Sequence, residues 1–237
     1  MESTVAWFAR SGVIIDTPLD KREYVAQILG MPKIEVVLIS ASEIPKKLSM
    51  GQIDLGVTGQ DLIRETVPVW EEIICELKQL EFGKANLVLA VPKFWVDVDS
   101  LDDFDAVAIN FRKKNGFRLR IATKYHNLVW AYLRKMGIAD YQLIDSQGAT
   151  EGTVKNNSAE AIADISSSGE TLEANHLKVI GDAPILSSQA TLYLSYAAEW
   201  SLAKRKILED FCSQLGIASP RLSGKPEISI LTDTEPR

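Results

Sequence analysis

Cysteine and histidine are scarce in this chain of 237 residues, which contains two of each. Cys75 and Cys212 lie in apolar surroundings without metal-binding or redox spacing, so we predict that both are core thiols. His126 and His176 lie far apart and have no Cys or His neighbour at ligand spacing, which argues against a structural zinc site. We therefore expect no metal site made by the protein alone, and a metal ion should arrive with the phosphate groups of a substrate.

Long apolar runs and an excess of positive charge are also missing. No stretch reaches the roughly 18 apolar residues of a membrane-spanning helix, and the start, MESTVAWFARSG, lacks the order of a signal peptide. We therefore predict a cytoplasmic protein without a membrane span. The net charge of −6 argues against a general nucleic-acid binder, which needs a basic face. Residues 111–124, FRKKNGFRLRIATK, are either a solvated basic loop or a patch that attracts a small polyanion.

Helical and strand patterns alternate along the chain, which is typical of an α/β fold. The hydrophobic content of 46% is enough for one large domain or two small ones. The predicted helices cover residues 5–10, 42–50, a segment from about 60, 127–136 and 203–215. The predicted strands are 34–40, 53–57, 87–91, 107–110, 119–123, 141–144, 161–165 and 190–196.

Two candidate crossings divide this pattern. The first crossing is marked by Pro92 and the acidic stretch VDVDSLDDFD at residues 96–105, and the second crossing by Gly181 and Pro184. We predict a first domain of residues 1–92 plus 184–217, a second of residues 93–183 and a flexible tail of residues 218–237. Two α/β domains joined by a double crossover enclose a central cleft, which the carboxyl ends of strands face.

The segment from Ala161 to Leu177 holds the clearest candidate site. An apolar run ends at Asp164, and small residues follow before a helix predicted near Thr171. The turn consists of Ser166, Ser167, Ser168 and Gly169. Converging backbone N–H groups, hydroxyls and the helix dipole suit a phosphate. Hydrogen bonds to a charged group contribute roughly 1.5–3 kcal/mol each and the dipole about 0.3–1 kcal/mol, so the loop should dominate. The alternative is an ordinary strand-to-helix connection.

A carboxylate beside a bound phosphate repels it, so the presence of Asp164 needs an explanation of its own. Asp164 fits if the phosphate belongs to a sugar phosphate, because the acid can then accept hydrogen bonds from ribose hydroxyls. A second glycine-containing turn, DLGVTGQDL at residues 54–62, can present further backbone and hydroxyl donors, or it is a plain strand-to-helix turn.

The serine-containing segment resembles the phosphoribosyl-diphosphate (PRPP) loop of the ATP phosphoribosyltransferases, D-x-x-x-[ST]-G-x-T-L followed by Asn and Leu. The positions are filled by Asp164, Ser168, Gly169, Thr171, Leu172, Asn175 and Leu177. Four further segments resemble family segments in the right order: ASEIP (41–45), DLGVTGQDL (54–62), RIATKYHNL (120–128) and GATEG (148–152). The resemblance extends to about Leu215, with Ser168 in place of the usual threonine and His176 in place of the usual glycine.

This resemblance implies transfer of a phosphoribosyl group from PRPP to N1 of ATP with release of diphosphate, the first step of histidine biosynthesis, with Mg²⁺ bound through the substrates. It implies four catalytic residues, Arg22 reaching the diphosphate, Lys124, Glu151 and Asp164. It implies that the 5′-phosphate is held by Ser166, Ser167, Ser168, Gly169, Glu170 and Thr171. On the nucleotide side it implies Arg120, Lys124 and Tyr125 and, across the cleft, Gly56, Thr58, Gly59 and Asp61.

The resemblance also has a departure. Family members open with a strand and a turn reading A-[LIV]-P-x-K-G-R-L, which does not precede the helix predicted near Val5. We expect its absence to leave backbone groups unpaired and a cavity beneath the helices. The length after Leu215 implies the short form, which acts with a regulatory subunit resembling histidyl-tRNA synthetase, as a homodimer within a hetero-oligomer.

Two alternatives stay open. One is a non-catalytic module that binds an anion or nucleotide, since bilobed proteins of the type II periplasmic-binding-protein fold share the double crossover. The other is an inactive paralogue.

Overall fold

The computed structural model describes residues 1–16, 24–146 and 150–222. Its helices are α1 (Glu2–Arg10), α2 (Ile44–Ser49), α3 (Gln60–Thr66), α4 (Trp70–Ile73), α5 (Leu101–Asn115), α6 (His126–Lys135), α7 (Gly152–Lys155), α8 (Glu170–Ala174) and α9 (Leu202–Gln214). Its strands are β1 (Ile15–Asp16), β2 (Val25–Ile28), β3 (Glu35–Val37), β4 (Leu55–Gly59), β5 (Ile74–Gln79), β6 (Ala85–Pro92), β7 (Leu119–Thr123), β8 (Tyr141–Asp145), β9 (Ala161–Ser166), β10 (Leu177–Ile180), β11 (Leu186–Ser188) and β12 (Ala190–Ser195). The predicted α/β class is confirmed.

The large sheet has the strand order β10-β6-β9-β7-β8, and β11 pairs with β6. Strand β7 runs parallel to β8 and β9, whereas β6 runs antiparallel to β9, β10 and β11. Side chains alternate between the two faces of a strand, and both faces of this sheet are covered. Helices α5 and α6 cover one face through residues such as Phe104 and Leu133, and Leu172 of α8 packs on the other.

Two smaller sheets complete the described part of the chain. The small sheet has the order β4-β12-β5, with α2 and α3 packed around the buried Tyr193 on one face and Leu208 and Cys212 of α9 on the other. The N-terminal sheet has the order β1-β2-β3 and shares a core with α1 and α9 through Phe8, Ile28 and Phe211. Cys212 is buried as expected, whereas Cys75 is partly exposed.

The strand predicted at residues 107–110 is wrong, because these residues lie inside helix α5. The helix begins at a capping box in which Ser100 and Asp103 satisfy each other's backbone N–H groups, and it ends at Gly116 in a left-handed conformation. Residues 101–105 of the acidic segment predicted as a domain crossing therefore form the first turn of this helix, and residues 96–100 lead into it. Paired end signals and helical periodicity outweigh the strand preference of a few apolar residues.

The chain passes twice between the small and large sheets, as expected of a double crossover. The crossings lie at residues 80–84, between β5 and β6, and at Gln189, between β11 and β12. They run side by side, because the N–H of Leu80 donates to the carbonyl of Ala190 and the N–H of Ala190 donates to the carbonyl of Phe82. Strand β6 thus pairs within the large sheet, although we assigned it to the first domain. The domain boundaries themselves stay a prediction.

Across residues 1–16, 24–146 and 150–222, no helix is both long enough and apolar enough to cross a bilayer.

Candidate active site

The predicted phosphate loop lines a depression of about 100 Å³, which we call the serine basin. Its polar lining consists of Glu151, Asp164, Ser166, Ser167, Ser168, Gly169 and Thr171. Strand β9 brings Asp164 to the basin, and the first residues of α8 close it on the far side. Glu151 comes from the turn before α7. Two carboxylates and a row of hydroxyls that are separated in sequence therefore share one cavity.

The turn that forms the basin depends on Gly169. This residue has φ +81°, a conformation that favours glycine, and a Cβ placed there would meet nothing within 4 Å. The Gly169 N–H donates to Oγ of Ser166 at 3.1 Å, and the Glu170 N–H donates to Oγ of Ser168 at 3.4 Å. The helix that follows has only five residues, so its dipole is small and the loop itself must supply most of the affinity for an anion. The exposed Glu170 side chain does not line the basin.

Several strand ends meet beside the basin. Thr123 of β7 pairs in parallel with Ala163 of β9, so Lys124 and Tyr125 leave β7 next to Asp164. Strand β6 begins at the same edge, where Asn86 lies opposite Ser166. The pairing of strand directions thus gathers segments from three parts of the chain at one edge of the large sheet.

A chain of hydrogen bonds links this edge to helix α3. The Tyr125 hydroxyl donates to Oδ2 of Asp61 at 3.0 Å, and the Ser188 hydroxyl donates to Oδ1 of Asp61 at 2.6 Å. Burial raises the pKa of Tyr125 well above its ordinary value, and the nearby charge of Asp61 adds to this effect. Tyr125 is therefore a neutral donor at physiological pH. Sequence analysis did not identify Ser188.

A second link joins α3 to α6, and sequence analysis missed it as well. The Glu65 carboxylate accepts hydrogen bonds from the backbone N–H groups of Asn127 and Leu128, each at 3.0 Å. In return, Nδ2 of Asn127 donates to the carbonyl oxygen of Glu65 at 2.9 Å. We call this group of contacts the Glu65 clamp. The only available signal was an acidic residue near the end of a predicted helix, which is common on protein surfaces.

Residues of the second glycine-containing turn, 54–62, make close contacts within the protein. A Cβ on Gly56 would lie 2.6 Å from Cγ2 of Ile44, so this glycine allows α2 to pack closely on β4. Thr58 is 3% exposed, and its hydroxyl donates to the carbonyl of Ala41 at 2.8 Å. Gly59 lies beneath the Asp61 carboxylate, whose Oδ1 would be 2.2 Å from an added Cβ. These groups are engaged within the protein.

Arg120 lies at the opposite edge of the large sheet from the serine basin, near the amino end of β7. Its Nη2 donates to Oε1 of Glu160 at 2.6 Å and its Nε donates to Oε2 at 3.1 Å. Thr123, at the end of β7 that lies beside the basin, is three residues beyond Arg120, which corresponds to about 10 Å along the strand. The predicted contact of Arg120 with ATP therefore finds no support in its position, because its guanidinium pairs with Glu160.

Part of the predicted site lies outside the described residues. Arg22 falls within residues 17–23, and Gly148 and Ala149 of the GATEG segment fall within residues 147–149. Among the described residues of that segment, Thr150 is buried and its hydroxyl is hydrogen-bonded to that of Ser146 at 2.9 Å. This contact anchors the turn that carries Glu151.

Comparison with known proteins gives a consistent assignment. The family model HisG, described as ATP phosphoribosyltransferase, matches residues 40–216. An ATP phosphoribosyltransferase of Cereibacter sphaeroides is 57% identical over 203 residues, which cover 86% of each chain. One of Mesorhizobium japonicum is 42% identical over 218 residues, covering 92% of this chain and 94% of the other.

A solved structure shares the fold. The ATP phosphoribosyl transferase (HisG:HisZ) complex from Thermotoga maritima contains a chain that aligns with a TM-score of 0.66 at 20% identity, covering 91% of each chain. The family match and the relatives name the same family, and the solved structure shares the fold. The chain therefore belongs to the HisG family of ATP phosphoribosyltransferases, the enzymes of the first step of histidine biosynthesis.

Proposed function

We propose that the serine basin binds the phosphoribosyl end of PRPP and that this group is transferred from there to N1 of ATP, with release of diphosphate. One observation carries the proposal: two carboxylates, three serine hydroxyls and the left-handed Gly169 line the same small depression. The hydroxyls and the backbone N–H groups of the turn would hold the 5′-phosphate, because anions bind where several such donors converge.

Glu151 and Asp164 are the candidates for the ribose side. Carboxylates accept hydrogen bonds from sugar hydroxyls, and their charge favours the positive character that develops at the anomeric carbon during transfer. The same two oxygen-bearing groups fit Mg²⁺, which typically takes one or two carboxylates together with substrate phosphates. When bound there, Mg²⁺ would neutralise part of the charge on the leaving diphosphate.

Lys124 and Tyr125 are the candidates for the ATP side. Lys124 is exposed directly after β7, so its ammonium group can reach phosphate oxygens above the edge of the sheet. Tyr125 is held by Asp61 and can offer its ring to a base or ribose. Transfer between two polyanions depends mainly on positioning and on cationic stabilisation of the leaving group, so no strong base is needed.

We also propose that the chain acts with a regulatory subunit of the HisZ type, which resembles histidyl-tRNA synthetase and confers inhibition by histidine. The solved complex of the Thermotoga maritima enzyme, which contains HisZ, supports this proposal. Homodimers of the catalytic chain within the hetero-oligomer are the assembly that we expect. Light scattering of the chain with and without the partner measures it.

The reaction is tested by following the absorbance of N1-ribosylated ATP with PRPP, ATP and Mg²⁺, using the purified chain alone and with the HisZ-type subunit of the same organism. We expect product in the presence of the partner. PRPP binding without product in either arm would overturn the transferase assignment for this chain and favour the binding module.

A further inference from the structure

The Glu65 clamp supplies the N-terminal cap that helix α6 lacks. The N-terminal N–H groups of a helix need acceptors, and the residue before the helix usually provides one through a short polar side chain. In α6 that residue is Tyr125, whose side chain makes no capping hydrogen bond and donates instead to Asp61. The Glu65 carboxylate, reaching across from α3, accepts from the second and third residues of α6 instead.

The clamp joins the helix that follows the glycine-containing turn to the helix that follows the two candidate ATP residues. Helix α3 begins directly after Gly59, and α6 begins directly after Lys124 and Tyr125. Because the clamp holds the end of α3 against the start of α6, it also sets the distance between the segments that precede them. Helix α3 packs on the small sheet through Ile63 and α6 packs on the large sheet through Leu133, so the clamp joins the two sides.

We propose that Glu65 is a positioning residue for ATP: by capping α6 from α3, it holds Lys124 and Tyr125 in the geometry that receives the nucleotide. This inference rests on the proposed assignment of those two residues to the ATP side. Within the described residues, the hydrogen bonds of the Glu65 side chain go to α6, whereas the serine basin is built from the turns around Glu151 and Gly169. Loss of the clamp should therefore weaken the use of ATP and leave PRPP binding intact.

The test measures KM for each substrate at saturation of the other, in the complete enzyme with its regulatory partner. In Glu65→Ala we expect KM for ATP to rise roughly 5-fold, which corresponds to the typical loss for a helix cap, with KM for PRPP changed by less than about twofold. Glu65→Gln keeps one acceptor oxygen and should rescue part of the loss. Glu71→Ala, at an exposed glutamate of α4, is the matched control and should leave both constants unchanged.

Amide hydrogen exchange at Asn127 and Leu128 reports on the clamp independently of activity, and we expect faster exchange in Glu65→Ala. If that variant does not fold, Glu65→Gln and Asn127→Ala provide the same comparison with smaller losses. An unchanged KM for ATP, or an equal rise for both substrates, would overturn the positioning role. Failure of the wild-type enzyme to use ATP would instead refute the proposed function, so the two failures are distinguishable.

Discussion

The phenolic oxygen of Tyr125 lies 3.0 Å from Oδ2 of Asp61, and this hydrogen bond joins the end of β7 to the first turn of α3. The other carboxylate oxygen of Asp61 accepts from Ser188 at 2.6 Å. Asp61 therefore has a donor on each oxygen, and it links Tyr125 to Ser188. The contact of Asp61 with the nucleotide that the resemblance implies stays a prediction.

Alkaline stability should depend on Tyr125. Because the pKa of Tyr125 is raised in the folded protein, the folded chain keeps its proton at a pH where the unfolded chain has lost it. The folded state then binds more protons, so the free energy of unfolding falls as pH rises above about 10, the ordinary value for tyrosine. Tyr125→Phe should make this fall shallower in urea unfolding between about pH 8 and pH 11.

The fall should not disappear in that variant. The pKa of Tyr193 is raised by burial, and that of Tyr196 is raised to about 12, first by its hydrogen bond with Cys75. These residues keep their own contributions. An identical pH dependence in Tyr125→Phe and wild type would contradict the shift assigned to Tyr125.

Gly169→Asp should abolish PRPP binding. The new side chain has room, but it places a negative charge in the serine basin, where the phosphate is expected, and it strains a backbone with φ +81°. Gly116→Asp is a matched control, because Gly116 has φ +79° and equally open surroundings at the end of α5. Both variants should lose about 1–2 kcal/mol of stability. Isothermal calorimetry with PRPP separates them, and equal affinity in the two would remove the phosphate assignment.

Arg120→Ala should destabilise the protein without changing KM for ATP. The variant leaves Glu160 without its bidentate partner and removes a guanidinium 5.7 Å from the ring of Phe117. A loss of about 1–3 kcal/mol is expected, as for hydrogen bonds to a charged group in a partly buried pair. Thermal unfolding and steady-state kinetics measure the two effects. A large increase in KM for ATP would restore Arg120 to the nucleotide site.

Asp164→Asn and Glu151→Gln should each lower kcat by on the order of 10²-fold, because each removes a charge proposed to act on the ribose or its metal ion. The Mg²⁺ concentration for half-maximal rate should rise in at least one of them. Asp102→Asn, at an exposed residue in the first turn of α5, controls for the loss of a surface charge. Full activity in both site variants would show that the basin carboxylates do not take part.

The parts of the site that could be predicted from the sequence are those formed by one continuous segment. The basin was predictable because Asp164 to Thr171 form one continuous segment in which strand, turn and helix follow in order. The packing role of Gly56 could not be predicted, because in sequence a glycine that lets Ile44 approach looks like one that lets a ligand approach. The same holds for the Thr58 hydroxyl, whose partner is the distant carbonyl of Ala41.

Features that depend on distant residues were out of reach. Ser188 lies 127 positions from Asp61, and its hydrogen bond arises only once β11 pairs with β6. Arg120 and Lys124 belong to one segment that resembles the family, but the strand between them places the two near opposite ends of β7. Proximity along an extended chain is a poor guide to proximity in the fold.

The two neighbouring crossings between the sheets have a mechanical consequence. They adjoin Asn86 and Ser188, which lie at the same sheet edge as the serine basin. If the sheets rock against each other, this is the natural pivot, and atoms near a pivot travel least. The groups of the serine basin beside Asn86 would therefore keep their spacing during such a motion, so the site for the sugar phosphate stays preformed.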